Sequence, residues 1–166
     1  MIDLTSDVLV ERVTNINDQY FFGYYDMSPE SPDGTKVLVN KPRFIDHMPM
    51  VDDELEIGYI DLTAKSFNKI AETHAWNFQE GCRLQWLSDD FILFNDRGHT
   101  DGKSIKSYKY CVSSKKIVDE YSLPIYSVSI KRQIALSYNF FNNRYNYAHA
   151  SEEEKTDEKK DGIFLL

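Results

Sequence analysis

Three spaced copies of one strand–turn–strand signature, an aromatic fraction of 14% and a scarcity of helical periodicity predict an all-β chain, a partial β-propeller. The first copy runs Tyr24-Tyr25-Asp26-Met27-Ser28-Pro29-Glu30-Ser31-Pro32-Asp33-Gly34-Thr35-Lys36-Val37-Leu38-Val39. The second runs Leu84-Gln85-Trp86-Leu87-Ser88-Asp89-Asp90-Phe91-Ile92-Leu93-Phe94, and the third Ile125-Tyr126-Ser127-Val128-Ser129-Ile130-Lys131-Arg132-Gln133-Ile134-Ala135-Leu136. In each, an aromatic or apolar strand meets a polar turn opening at Ser31, Ser88 or Ser129, and β-formers follow. A repeat of roughly 40 to 57 residues made of short strands is close to the length of one propeller blade.

The elements follow in order. Residues 4–13 suit a short N-terminal helix or an irregular lead-in. Blade one, residues 18–73, takes strands at 20–25, 36–40, 56–61 and 69–73, alternating apolar and polar positions between turn-rich breaks. Blade two, residues 82–121, takes strands at 83–87, 91–95, 104–111 and 116–121. Blade three, residues 125–166, takes strands at 125–129, 134–138 and 162–166 and lacks a fourth. The whole chain reads as a single domain of about two and three-quarter blades. A propeller needs about four blades to close its ring. An unclosed one leaves unpaired strand edges, so the chain is expected to be the N-terminal part of a longer protein. The alternative is completion by a protein partner or by self-association. The charge run at 151–161 is expected to be a solvated loop.

Composition removes several function classes. The 166 residues carry 27 carboxylates against 19 Lys and Arg, a net charge of −8, which disfavours nucleic acid and anionic membrane surfaces alike. No stretch has the length of a membrane span, and the N-terminus shows no basic-then-apolar leader, so a cytoplasmic location is expected. Cys82 and Cys111 are too few for a disulfide framework and are read as buried, reduced thiols. No clustered glycines cradle a phosphate, and no nucleophile elbow is present.

Ser31-Pro32-Asp33-Gly34 followed by Lys36-Val37-Leu38-Val39 resembles the turn of TolB-like β-propeller repeats. Proline sets φ at the second position, Asp bonds its own backbone, and Gly takes positive φ. The second and third copies keep only the serine. Three longer strings, Tyr20-Phe21-Phe22-Gly23-Tyr24-Tyr25-Asp26, Ala75-Trp76-Asn77-Phe78-Gln79-Glu80-Gly81 and Asn95-Asp96-Arg97, resemble a sparsely characterised bacterial propeller family. Its members are associated with surface-polysaccharide gene clusters, are distantly similar to oligogalacturonate-lyase-like propellers, and run to about twice this length. The lyase relatives use a metal held by a histidine cluster and a glutamine. That cluster has no residue-by-residue counterpart here and is not carried over.

Propeller geometry sorts the loops. The A–B and C–D turns share one face, and the B–C loops and blade-to-blade links share the other. The second face receives residues 41–55, 74–82, 96–103 and 139–161, which are long, polar and aromatic, and long irregular loops are the usual carriers of function. Its candidate ligand-binding residues are Tyr25, Asp26, Arg43, Asp46, Trp76, Asn77, Gln79, Asn95, Asp96, Arg97, Asn139 and Arg144. Arg43 offers a fork for a carboxylate or phosphate and Asp46 accepts sugar hydroxyls, against the plainer reading of an Arg43–Asp46 pair stiffening a loop. Trp76 offers a stacking surface beside the amides of Asn77 and Gln79, against a Trp packed between blades with capping amides. Asp96 and Arg97 reach a central channel or form an interblade ion pair, and Asn139 with Arg144 holds the matching place in blade three. No organic cofactor is expected. A divalent metal on His47 and His74 is the alternative, without a His-x-His or His-x3-His spacing to support it.

These features predict a carbohydrate- or sugar-nucleotide-binding module of bacterial surface-polysaccharide metabolism. The alternatives are a metal-dependent polysaccharide lyase or hydrolase, a protein-interaction scaffold, and an inactive truncated fragment. Replacing both Trp76 and Arg43 by Ala is expected to abolish ligand binding and leave the melting temperature nearly unchanged.

Overall fold

The computed structural model describes residues 10–97, 105–138 and 163–165. The described residues form ten strands and no helix: β1 (Lys36–Pro42), β2 (Leu55–Asp61), β3 (Ser66–Thr73), β4 (Gln85–Trp86), β5 (Phe91–Arg97), β6 (Ile105–Cys111), β7 (Lys116–Tyr121), β8 (Ser127–Ser129), β9 (Ile134–Tyr138) and β10 (Ile163–Leu165). They make three antiparallel sheets in chain order: β1-β2-β3, the four-stranded β4-β5-β6-β7, and β8-β9-β10. Successive antiparallel meanders of this kind are the blades of a propeller, and the chain is an all-β partial β-propeller.

Blade two has the full four strands. Blade one departs from the sequence expectation, because residues 20–25 form no continuous strand. Its inner edge is reduced to two isolated bridges, Phe21 opposite Asn40 and Glu30 opposite Val37. Between those bridges the inner segment advances nine residues while β1 advances three, so residues 22–28 must bulge out of the ladder. The bulge is closed by a turn in which Met27 N donates to Tyr24 O at 3.0 Å. Pro29, which has no N–H to give a ladder, begins the return to pairing. The expected N-terminal helix falls mainly on residues 1–9, outside the described residues, and residues 10–13 are not helical.

Each turn follows from its residues. At the first A–B turn, Gly34 at φ +70° closes a Ser31 O to Gly34 N bond of 2.9 Å. The Asp33 carboxylate accepts from the Ser31 and Thr35 hydroxyls and from Thr35 N, which holds it well below the usual carboxylate range. In the second, Asp90 reaches across to the C–D turn, accepting from Ser113 N at 2.7 Å and from the Ser113 hydroxyl. Two C–D turns place a lysine in the left-handed region, Lys65 at φ 50° and Lys115 at φ 55°. The register shifts opposite Ile57/Gly58 and opposite Lys109/Tyr110, where the extra residues, Ile70 and Val118, bulge in β3 and β7, the outermost strand of each blade. Gly58 is required where it stands, since a Cβ there would come within 2.3 Å of Asn68 O and 2.5 Å of the Phe67 ring.

The core lies between sheets. Leu38, Leu55, Ile57 and Trp76 of blade one pack against Leu84, Trp86, Ile92 and Phe94 of blade two. A smaller cluster of Leu87, Leu93, Ile125 and Ala135 joins blades two and three. Polar struts cross the same seams. Asn95 is fully buried, and its amide donates to Ile125 O at 2.8 Å and accepts from Ile125 N at 2.7 Å. Thr73 donates to Asn95 O at 2.8 Å. Asn40 stands at the matching place in β1 and abuts Gly81, where a Cβ would meet its amide at 2.7 Å. The Asn95 amide fixes the link that feeds blade three. Asn95→Ala strands two buried backbone groups and is expected to cost about 2–4 kcal/mol in urea unfolding. A loss under about 0.5 kcal/mol, the size of an ordinary surface change, would show that the strut is dispensable.

Candidate functional site

The bulge at residues 22–28 places Asp26 against Arg83, at the entrance of β4. Gly23 permits the approach, since a Cβ there would lie 2.1 Å from the Met27 methyl and 3.0 Å from Glu80 O. Arg83 has no exposed surface and sits at φ 57°, a conformation that costs an L-residue about 1–2 kcal/mol. Its surroundings account for that conformation. Arg83 Nη1 and Nη2 donate to the two oxygens of Asp26 at 3.3 and 3.2 Å, and Nε donates to Tyr126 O at 2.9 Å. The guanidinium also lies 3.8 Å from the centre of the Tyr126 ring. Gln85 completes the arrangement, donating to Arg83 O and Tyr126 O and accepting from Val128 N. Trp86 donates to Pro29 O at 2.9 Å and pins the far end of the bulge. One buried cation therefore ties the lead of blade one, the entrance of blade two and the link into blade three.

The outer side of this node is accessible. The Asp26 side chain is 37% exposed. Tyr25 is 84% exposed and packs on Tyr24 with ring centres 4.1 Å apart. Hydrogen bonding to Tyr24 raises the Tyr25 phenol, and the charge of Asp26 and the proximity of Tyr126 push it the same way. Glu80 lies beside the node. Burial raises its carboxyl above the usual range, Arg83 opposes the shift and Asp26 adds to it. The result is an exposed aromatic and an arginine-bound Asp26 side chain next to a shielded carboxyl, Glu80, that holds its proton more tightly.

Of the sequence candidates, Tyr25 and Asp26 belong to this cluster. Arg43 does not pair with Asp46. Its fork spans Glu54 at 2.6 Å and Glu72 at 2.8 Å, which ties the two ends of the loop at 43–54, and Asp46 instead bonds His47 at 2.8 Å. Trp76 is not an open platform: it is 1% exposed, packed among Phe21, Phe44 and Phe78, and donates to Asp53 O. Asn77 caps its own turn by accepting from Gln79 N and Glu80 N, while Gln79 faces solvent. Asn95, Asp96 and Arg97 are buried, and Asp96 accepts from Thr73 Oγ1 and His74 N across the first interblade seam. Asn139 and Arg144 lie outside the described residues. The Trp76 and Arg43 double substitution therefore tests packing and loop closure, and its expected neutrality toward melting is withdrawn.

His74 lies between Glu54 and Asp96 at 3.8 and 3.9 Å, but its two ring nitrogens face opposite carboxylates and cannot share one ion. His47 stacks on Phe44. Among the described residues, no group of three or more His, Cys, Asp and Glu is arranged to hold a metal. Cys82 and Cys111 are both buried and free. No helix among the described residues is long and apolar enough to cross a membrane. Arg83, Glu80 and Tyr126 escaped the sequence reading. The available signal was an arginine inside the apolar run Cys82-Arg83-Leu84-Gln85-Trp86, where a charge must find a partner.

No protein-family model and no curated protein matches the chain. Among solved structures it is similar to the β-propeller domain of the trilobed protease from Pyrococcus furiosus, described as having an open velcro topology. The TM-score is 0.47 at 20% identity, with 68% of this chain and 33% of that chain covered, so this chain spans about a third of that structure's length. The propeller assignment rests on the sheet topology and not on this likeness.

Glu80 generates a pH prediction. A carboxyl whose folded pKa is raised destabilises the fold once it must ionise, so its cost is absent below the unfolded value and grows as pH rises through the folded one. Glu80→Gln should leave stability nearly unchanged at pH 4 and raise it at pH 8. Chemical denaturation at the two pH values reads the difference, and equal effects at both would contradict the assignment.

Proposed function

We propose that the chain is the ligand-binding part of a β-propeller and that the Tyr25–Asp26–Arg83 node takes a carbohydrate or a sugar nucleotide. The observation that carries this reading is an exposed tyrosine beside a half-open carboxylate that a fully buried arginine fixes in place. Sugar rings lay their C–H faces on aromatic rings. A carboxylate accepts two hydroxyl protons at once, and it does so best when its orientation is already set. Arg83 neutralises Asp26 from behind, which lets the site hold hydroxyl-rich ligands without a large desolvation cost. The resemblance to propellers of surface-polysaccharide gene clusters suggests the same ligand class.

A polysaccharide lyase or hydrolase is the second reading, and Glu80 is the observation that favours it. A carboxyl that burial makes hold its proton more tightly, with a second carboxyl beside it, is the raw material of acid–base catalysis.

Calorimetric titration with oligogalacturonate, a neutral oligosaccharide and a uridine-diphosphate sugar tests the proposal. One of these is expected to bind, and Tyr25→Ala should weaken it about tenfold or more with an unchanged melt, since exposed positions shift stability by only about 0.5 kcal/mol. Failure of all three ligands, or indifference to Tyr25→Ala, would overturn the reading. Product formation that is abolished by Glu80→Gln with binding retained would select the enzyme.

A further inference from the structure

The loop at residues 43–54 is tied at its ends, base and tip, and four of its apolar side chains remain exposed. Its two ends are joined through Arg43 and Glu54 at 2.6 Å. Its base is seated by Phe44, which packs on Trp76 and Phe78, and by buried Pro49. Its tip is a closed turn in which Asp53 N donates to Met50 O at 3.0 Å and Met50 N donates to Asp53 Oδ2 at 2.7 Å. Trp76 Nε1 fixes the return strand by donating to Asp53 O at 2.8 Å. On this frame Ile45 is 62% exposed, Met48 64%, Met50 68% and Val51 42%.

Four exposed apolar side chains on one loop, two of them methionines, make an adaptable contact surface. The surrounding charge states what suits it. Of the five carboxylates at residues 43–56, Glu54 pairs with Arg43, Glu56 pairs with Lys41 and Lys69, and Asp53 accepts from Met50 N, which leaves Asp46 and Asp52 to meet a partner's charge. The hydrogen bond from His47 holds the Asp46 carboxyl below the usual range, so it is charged at neutral pH. We infer that this loop docks a cationic amphipathic segment of another protein, with apolar anchors on the methionine surface and Lys or Arg toward Asp46 and Asp52. Amphipathic segments are recognised by apolar anchors joined to a charge complement.

The test uses fluorescence anisotropy with two labelled amphipathic peptides that share one leucine face, one carrying lysines on its polar face and the other glutamates. The lysine peptide is expected to bind and to weaken with added salt, while the glutamate peptide does not bind. The Met48→Ser/Met50→Ser protein should bind the lysine peptide about tenfold more weakly, a change of about 1.4 kcal/mol. Asp46→Asn/Asp52→Asn should weaken it and flatten its salt dependence. Equal binding of both peptides, no binding of either, or unchanged binding in both variants would overturn the inference. So would self-association in sedimentation that the serine variant abolishes, since a second copy would then cover the loop.

Discussion

One fully buried guanidinium sets the geometry on which the rest of this structure depends. Arg83 is committed at once to Asp26 from the lead of blade one and to the carbonyl and ring of Tyr126 from the link into blade three. A charge without exposed surface is tolerated only if its partners stay put, because removing one leaves a desolvated ion costing several kcal/mol. That demand reaches outward. It requires the bulge at 22–28 that brings Asp26 across, the glycine at position 23 that lets the bulge lie on Glu80, and the Gln85 amide that shares the Tyr126 carbonyl. Apolar packing between sheets supplies most of the driving force, but it is nearly indifferent to small slides of one blade on the next. The directional bonds of Arg83, and those of Asn95 on Ile125, fix where each blade stops.

The same constraint explains why the candidate site lies where it does. The inner ends of successive blades converge toward a propeller's axis, so residues at those ends meet although they are far apart in sequence. Asp26, Glu80, Arg83 and Tyr126 come from three blades. Because Arg83 fixes Asp26 from the protein side, the open side of that carboxylate and the exposed ring of Tyr25 form a surface that is ordered before any ligand arrives. Preorganisation of this kind gives a modest cluster useful affinity.

The sequence made the blades legible because strand alternation and turn chemistry are local signals. Residues 116–121 and 134–138 were read with the bounds of β7 and β9, and the Ser-Pro-Asp-Gly turn adopts the geometry its residues demand. Tyr20 to Tyr25 has the right residues for a strand, yet it is not one. A tertiary requirement, the delivery of Asp26 to Arg83, pulls that segment out of the ladder. The site was harder to read for the same reason. Trp76 and Arg43 look like ligand-binding residues in isolation, yet one is packing and the other is a loop clasp. Nothing local distinguishes an exposed tryptophan from a buried one. In sequence Arg83 looks like a strand residue, and only its burial reveals its role.

The most direct test of this account is hydrogen exchange on Arg83→Met, which keeps the side-chain volume and removes the charge and the directional bonds. In the native protein the amides of β4–β5 and of β8–β9 should open together with one free energy. In the variant, β8–β9 is expected to open at lower free energy than β4–β5, because the tie from Arg83 to the Tyr126 link is gone. Undiminished common protection of both sheets would contradict the claim that this arginine couples the blades.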